Sequence, residues 1–421
     1  MFQTISTPVT FAAVAFLSMS AVAAAQTLAT GDSRTVNQPN YPAVCQTLTA
    51  QFTTSQRSSP PSSDDTSRLQ SALNSCAGTG KSVVLASSGS NNAFYSGKIT
   101  VNGEGLVINS GVTLEGNNSY SSQSELVYVE GSNSFIGGPG AIDGRGDIIS
   151  GTPRLVQTNN AGNFICYNVT LQNAAHPNLY IQGGNGATVW NTTINTSPTK
   201  ANADGIDIDS ITNVTVNDSN ITAGDDGIAV KTNEAAASNI TVENTNVYGT
   251  HGLSIGSQTF DGVTNVLFKN NYVYGKSSGG TASTDANAIN IKTDIDCGGL
   301  VQKVYYQNTC IRYAKHLIVV NANYGSCSGS SGTPKFENIV INGAKSENSV
   351  SGAYEKIAGY NSSNLAQVYV ANISLDSNTQ SGDEYATVDL DNVNGFAPSG
   401  TDVTTSSFTL SGSVPSCSFK F

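Results

Sequence analysis

The sequence predicts an all-β fold, a single parallel β-helix, and the first reason is a short repeat with a polar head. Three segments share the order polar, Gly, apolar, any, apolar, and their heads lie 22 and then 25 residues apart: Asp204-Gly205-Ile206-Asp207-Ile208, Asp226-Gly227-Ile228-Ala229-Val230 and His251-Gly252-Leu253-Ser254-Ile255. Repeats of this length are typical of a solenoid, in which each repeat stacks on its neighbour. If each repeat is one coil, the heads stack on one face at roughly 4.8 Å per coil.

A second repeat supports the same fold. Tetrads that begin with Asn and continue with alternating apolar residues start at Asn213, Asn239 and Asn265, at intervals of 26, and similar tetrads start at Asn168 and Asn338. The alternation sends one set of side chains inward, and Asn tolerates the tight bend before each strand. A sandwich or barrel would not hold this register over so many units.

Composition is the third observation. Only 12% of the residues are charged and 42 are glycine, which suits many short strands joined by turns. The net charge is −11 and the pI is about 4.6. This charge disfavours nucleic acid and anionic membranes as partners. We therefore expect a monomer with neither partner.

The amino terminus predicts export. Residues 11–25 are apolar and small, and Ala23-Ala24-Ala25 before Gln26 gives a typical cleavage pattern, although no Lys or Arg precedes the apolar run. The run is too short for a membrane-spanning helix, which needs about 20 residues. The predicted organisation is a signal peptide at 1–25, an N-terminal cap segment at 26–95 and a β-helix catalytic domain at 96–421. We expect a secreted, extracellular protein.

The cap segment is predicted to contain one helix. Asp64-Asp65-Thr66 reads as a helix start, and Leu69, Ala72 and Leu73 follow at helical spacing towards Cys76. Such a helix would cover the open end of the β-helix core.

The seven cysteines suit a secreted chain with a few disulfides. Cys45 and Cys76 bracket the cap segment and are predicted to pair. Cys297, Cys310 and Cys327 are candidates for a second bond, and one thiol must remain. Their scatter argues against a zinc site.

An insertion interrupts the repeat beside the polar heads. Asn287 begins the next coil 36 residues after His251, so residues 276–286 are predicted to form an extra surface loop. Loops in such places shape access for a substrate.

The polar heads predict acid and base catalysis. Asp204 and Asp226 should be neighbours, and Asp225 must project in a different direction from Asp226. Two carboxylates can deprotonate a water while a third donates a proton, the division of labour that glycoside hydrolysis needs. The like charges should raise the pKa of the acid and give an acidic pH optimum. A calcium site is the alternative for stacked Asp residues, and His251 in register with them makes it weaker.

Two further positions suit a substrate. Lys292 and Asn290 should both point outward while Ile291 faces the core. A lysine on an acidic patch could hold a sugar carboxylate. Tyr324 could stack on a sugar ring, or could equally be an ordinary core or surface tyrosine.

These residues resemble the signature segments of the polygalacturonases, glycoside hydrolase family 28. The segments are Asn202-Ala203-Asp204, Gly224-Asp225-Asp226, His251-Gly252-Leu253-Ser254-Ile255-Gly256-Ser257 and Asn290-Ile291-Lys292. Bacterial secreted members are the most similar, as the segments at 32–36, 141–146 and 153–157 also indicate. The resemblance covers nearly the whole mature chain.

The resemblance implies a right-handed β-helix and inverting hydrolysis of α-1,4-linked galacturonan in pectic polysaccharide, without a metal or other cofactor. It implies that Asp225 is the general acid, that Asp204 and Asp226 activate the water and that His251 tunes the acid. Substrate would be bound by the following residues: Asn202, Gly252, Asn290, Lys292 and Tyr324.

Two positions depart from the family pattern. Ala203 replaces a Thr, and Asn290 replaces an Arg that could clamp a carboxylate through two hydrogen bonds. The second change bears on substrate identity and predicts weak activity on plain polygalacturonate.

The alternatives are a related pectic hydrolase on substituted galacturonan, an exo-acting enzyme, and a non-catalytic β-helix that binds glycans. A calcium-dependent pectate lyase is a weaker alternative. Product chromatography from polygalacturonate would separate endo from exo action.

Overall fold

The chain winds into a right-handed parallel β-helix with three sheets along its length. A computed structural model describes residues 26–282, 285–295, 298–326 and 332–421. The predicted signal peptide and the candidate disulfide residues Cys297 and Cys327 lie outside the described residues. Within the described ranges, no helix has the length and apolar character that crossing a membrane requires.

Neighbouring strands pair in parallel from coil to coil within each sheet. Sheet 1 contains β4 Ile99–Val101, β7 Glu125–Val129, β10 Arg154–Asn159, β13 Leu179–Gln182, β16 Ile206–Asp209, β19 Ile228–Thr232, β22 Leu253–Thr259, β25 Asn287–Asp294, β27 His316–Gly325 and β29 Tyr354–Ala358. Sheet 2 contains β1 Val44–Thr49, β2 Ser82–Ala86, β5 Gly105–Ile108, β8 Phe135–Gly137, β11 Phe164–Tyr167, β14 Asn185–Trp190, β17 Thr212–Asn217, β20 Ala237–Glu243, β23 Val263–Lys269, β26 Leu300–Arg312, β28 Lys335–Glu347, β30 Ala366–Ser374, β31 Asp383–Asn394 and β32 Gly400–Ser407. Sheet 3 contains β3 Ala93–Ser96, β6 Thr113–Gly116, β9 Ala141–Asp143, β12 Thr170–Gln172, β15 Thr193–Asn195, β18 Asn220–Thr222, β21 Asn246–Tyr248 and β24 Tyr272–Tyr274, and is continued by the ends of β26, β28 and β30.

The apolar register confirms the coil repeat. Ile206 pairs with Ile228, which pairs with Leu253, which pairs with Ile289, and all four side chains are fully buried. Each such burial contributes roughly 1.5–3 kcal/mol by removing apolar surface from water. The intervening residues point outward from sheet 1, which places their polar groups on one face.

The Asn tetrads lie on sheet 2, with one exception. Asn213, Asn239 and Asn265 have φ angles of 60°, 57° and 59°, and Asn265 donates to the Asn239 side chain at 2.7 Å. Asn338 is in register with them through β26 and β28. The Asn168 tetrad repeats the pattern at a turn, where Asn168 has a φ of 52°, but its strand β12 belongs to sheet 3.

The segment at 26–43 runs along the solenoid. Thr27 donates from its backbone to the Asn338 side chain, Thr30 to that of Asn265 and Asp32 to the Thr241 hydroxyl, so the segment crosses several coils of sheet 2. The residues predicted as a cap segment therefore also bind the side of the β-helix. Strands β1, β2 and most of β3 also lie within residues 26–95, the predicted cap segment.

The strands are accompanied by one α-helix, α1 Thr66–Cys76, and by 3₁₀ turns that include Thr54–Gln56 and Ser119–Ser122. Helix α1 occupies the predicted residues, and its buried side chains Leu69, Ala72 and Leu73 join the main core. That it closes the end of the core stays a prediction.

Two disulfides are present in the described residues. Cys45 pairs with Cys76, as predicted. Cys310 pairs with Cys417, which the sequence had not indicated as a partner. Cys166 is buried and free.

Candidate active site

A cavity of about 330 Å³ opens on sheet 1, where the chain turns in from sheet 3. It is lined by Arg154, His176, Pro177, Tyr180, Asn202, Asp204, Asp207, Asp225, Asp226, Lys231, Asn233, Gly256, Ser257, Gln258, Lys292 and Tyr324. Six of the nine residues predicted for the site are among them. Because Asp204 and Asp226 each stand two residues before a paired isoleucine, the coil register brings them to neighbouring positions.

Lys231 holds two carboxylates at one end of this group. Its Nζ lies 2.8 Å from Asp204 Oδ2 and 2.9 Å from Asp207 Oδ1. Burial opposes the charge on Lys231, but Asp207 and Asp204 raise its pKa well above the usual range. Burial and the Asp204 charge raise the pKa of Asp207. The Asp204 carboxylate is bonded through Oδ2 to Lys231 and also lies within hydrogen-bonding reach of Asp207.

Asp226 is more fully engaged than Asp204. The Lys292 Nζ lies 3.1 Å from both of its oxygens, and the Ser254 hydroxyl donates to Oδ1 at 2.6 Å. Burial lowers and Asp226 raises the pKa of Lys292, and the net direction is upward. These hydrogen bonds hold the Asp226 carboxylate in a fixed orientation.

Asp225 points in another direction and pairs with His251. His251 Nδ1 lies 2.8 Å from Asp225 Oδ1. Burial alone would raise the pKa of Asp225, but the hydrogen bond and charge of His251, with Lys292, bring it below its ordinary value. Burial would lower the pKa of His251, but the hydrogen bond to Asp225 outweighs burial, so the net shift is upward.

This result corrects the expectation that like charges raise the pKa of Asp225. The Asp226 charge does raise the pKa of Asp225, but the hydrogen bond and charge of His251, together with Lys292, outweigh it. The hydrogen bond between the two groups thus favours an ionised Asp225 and a protonated His251.

Two residues predicted to bind substrate do not line the cavity. Asn290 is 2% exposed, and its amide donates to the Ser254 hydroxyl at 3.2 Å. Gly252 has a φ of +88°, and its carbonyl accepts from the Gly227 amide at 2.9 Å. The Asn290 side chain points outward, as the alternation predicts, but neighbouring coils cover both Asn290 and Gly252. Asn290 therefore contacts the site through the Ser254 hydroxyl and through the His251 carbonyl, to which its amide donates at 3.4 Å.

Two other predicted residues lie in the cavity wall and are reachable. Tyr324 is 54% exposed, and the Lys292 Nζ lies 5.1 Å from its ring centroid. Asn202 is exposed, with a φ of 54°. Each can contact a bound sugar.

Sequence reasoning missed several lining residues. Lys231 could have been found, because it points outward from β19 by the same alternation that identified Lys292 on β25. Asp207 lies within the same repeat as Asp204 and is buried against Lys231. Arg154 and His176 come from earlier coils and carried no repeat signal.

The predicted loop borders the site. Residues 276–282 and 285–286 of this loop are described, and Ala282 lines a small pocket of about 150 Å³ together with Asp225, His251 and Pro198. The insertion thus contributes Ala282 to a pocket that Asp225 and His251 also line.

A metal ion would find three donor groups here. Ligand atoms of Asp225, Asp226 and His251 lie within 4.8 Å of one another. Lys292 already contacts both Asp226 oxygens, and His251 is bonded to Asp225. The donor set is therefore neutralised by the chain's own cations and fits a metal poorly.

The regions of this chain that match known proteins include the whole site. A family profile described as glycosyl hydrolases family 28 matches residues 76–393. The chain is 33% identical over 391 residues to an endo-polygalacturonase of Pectobacterium parmentieri, covering 83% of this chain and 90% of that protein. It is 31% identical over 402 residues to a polygalacturonase of Ralstonia solanacearum, covering 74% and 75%. The solved structure of a polygalacturonase from Erwinia carotovora ssp. carotovora matches with a TM-score of 0.74 at 32% identity, covering 85% of this chain and 99% of that one.

Proposed function

This chain belongs to family 28 of the glycosyl hydrolases, and we propose that it is a secreted polygalacturonase that cleaves α-1,4-galacturonosyl linkages within pectic chains. The similarity to endo-polygalacturonases over most of both chains supports the substrate and the endo action. Membership of a hydrolase family disfavours the non-catalytic alternative. The apolar segment at 11–25 and two disulfides support secretion.

One observation carries the proposal. The cavity holds Asp204, Asp225 and Asp226 together, and each carboxylate has a different cationic or imidazole partner. Groups placed in such different environments can take different protonation states at one pH. That is what a hydrolase with separate acid and base needs.

In the proposed reaction the Asp225 carboxyl protonates the leaving glycosidic oxygen as the bond from that oxygen to the anomeric carbon breaks. The Asp204 carboxylate accepts a proton from a water whose oxygen forms the new bond to the anomeric carbon. Attack from the face opposite the leaving group inverts the configuration. Asp226, held by Lys292 and Ser254, orients the water.

The proton source in this scheme is the pair of Asp225 and His251. His251 holds the proton in the free protein and shares it with Asp225 across the 2.8 Å bond. Activity is then expected to fall when the pair loses its proton, above the ordinary imidazole value of 6.5.

The decisive experiment incubates the purified protein with polygalacturonate and follows reducing ends and chain length together. Mixed oligomers at early times are expected, and release of monomer or dimer alone would contradict endo action. Proton NMR of the first products should show the inverted anomer. Pretreatment with EDTA should leave the rate unchanged, and a rate that calcium restores would contradict a metal-independent mechanism.

A further inference from the structure

The cavity contains one cation that has no carboxylate partner. Of its three lysine and arginine residues, Lys231 contacts Asp204 and Asp207, and Lys292 contacts Asp226. Arg154 lines the same cavity, and within the described ranges no carboxylate oxygen lies within 4.0 Å of its guanidinium. An arginine without an acid in an acidic cavity is available to an anionic ligand.

Arg154 is held in place by neutral groups. Its guanidinium carbon lies 4.2 Å from the ring centroid of Tyr180, and its Nη1 donates to Gln157 Oε1 at 3.0 Å. The Tyr180 hydroxyl is bonded in turn to the Asp209 carboxylate. A planar guanidinium carries its N–H donors in a fixed fork along its edge.

An unsatisfied donor points to the same conclusion. The Nε of Arg154 is buried and has no hydrogen-bond partner. A buried N–H without a partner is costly, and a carboxylate can accept from two guanidinium donors at once.

We propose that Arg154 binds the carboxylate of a galacturonosyl unit on the side of the cleft formed by the earlier coils. Arg154 begins β10, which lies two strands before β16 in sheet 1, or roughly 10 Å at ~4.8 Å per coil. The bound carboxylate therefore belongs to a sugar other than the one attacked beside Asp204. This inference rests on the proposed function and names a specificity residue for it.

The position also offers a reason why an Asn at 290 is tolerated. Position 290 is buried and faces Ser254, so it offers no fork of donors to a substrate. Arg154 supplies such a fork at another place in the same cavity.

The test compares Arg154→Gln and Arg154→Lys with the unaltered protein on polygalacturonate and on highly methyl-esterified pectin. Arg154→Gln should raise KM on polygalacturonate about tenfold or more, since charge-assisted hydrogen bonds are lost, while kcat changes little. The KM of Arg154→Lys should lie between that of Arg154→Gln and that of the unaltered protein. The increase should largely disappear on the esterified substrate, whose carboxyl groups are neutral.

Lys335→Gln is the matched control, because it removes the same charge from an exposed strand start on sheet 2. It should leave KM unchanged. An unchanged KM in Arg154→Gln, an equal loss on esterified pectin, or a loss in kcat alone would overturn the proposal. If Arg154→Gln does not fold, Arg154→Lys decides by the same criteria.

Direct binding separates this inference from the proposed function. Calorimetry with galacturonate oligomers uses the Asp225→Asn protein with and without Arg154→Gln, and the second change should weaken binding by the same factor as KM. If the unaltered protein does not cleave polygalacturonate but this difference is found, only the proposed activity fails. If no oligomer binds, both fail.

Discussion

His251 Nδ1 and Asp225 Oδ1 lie 2.8 Å apart, and the two groups shift each other's proton affinity in opposite directions. Asp225 has a lowered pKa and His251 a raised one. A general acid that loses its own proton easily needs a second group that keeps one nearby. In the proposed mechanism His251 therefore keeps the proton that Asp225 passes to the leaving oxygen.

The first prediction concerns Asp225 itself. Asp225→Asn should lower the rate on polygalacturonate by about 10²–10⁴-fold, because an amide cannot donate the proton to the leaving oxygen. Folding should be intact, since the side chain is only partly buried at 23% exposure. Initial rates and a thermal melt measure the two effects. More than a tenth of the original rate would rule out this assignment.

The second prediction concerns the pH profile. Activity should be present below the raised pKa of His251 and be lost as pH rises through it. In His251→Gln the proton can reside only on a carboxyl, whose ordinary pKa is about 4, so the falling limb should move to lower pH. The measurement is kcat/KM between pH 4 and 9.

His316→Gln is the control for this profile. His316 stands in the same ladder, two coils beyond His251, and is paired with Asn287 outside the cavity. Its replacement should leave the falling limb where it is. A limb that stays fixed in His251→Gln would show that another group titrates.

The fold could be predicted from the sequence because its stability depends on a regular register. Ile206, Ile228 and Leu253 recur where each coil needs an inward apolar residue, and the polar heads follow from that spacing. The same register brought Asp204 and Asp226 together. The Asn168 tetrad shows that the same pattern fits either of two sheets, since its strand belongs to sheet 3.

Burial and long-range contacts could not be predicted. Asn290 was correctly expected to point outward, but whether a neighbouring coil covers an outward residue depends on the size of side chains in that coil. The partner of Cys310 was missed because residues after 408 fold back along the solenoid, where Phe419 and Phe421 pack on Tyr274. Such a return carries no periodic signal.

The third prediction tests whether Asn290 positions Asp226 or binds substrate. Asn290→Ala removes the hydrogen bond to Ser254, which itself donates to Asp226. A hydrogen bond of this kind contributes about 0.5–1.5 kcal/mol, so kcat should fall roughly 2–12-fold with KM nearly unchanged. A rise in KM alone would indicate that the residue contacts substrate after all.

Ser254→Ala provides the matched variant for this link. It breaks the same chain of hydrogen bonds one step closer to Asp226 and should lower kcat at least as much. Because the two residues act through one contact, the double variant should lose less than the product of the single effects. Fully multiplicative losses would mean that Asn290 and Ser254 act independently.

The last prediction concerns stability rather than activity. Glu355 is fully buried, and burial, with Asp383 and Asp376, raises its pKa to about 8 from an ordinary 4.5. The folded state thus binds a proton that the unfolded state releases between these values. The resulting stability is complete below pH 4.5 and is lost as pH rises towards 8.

Glu355→Gln should make the free energy of unfolding less dependent on pH in this window, because its amide does not titrate. Urea unfolding at pH 4.5, 6 and 8 measures the effect. Gln380, whose amide donates to Glu355 at 3.1 Å, remains in the variant, so the contact itself is retained. An equally steep decline in Glu355→Gln would assign the pH dependence to other groups, of which Glu115, also raised to about 8 by burial, is the next to replace.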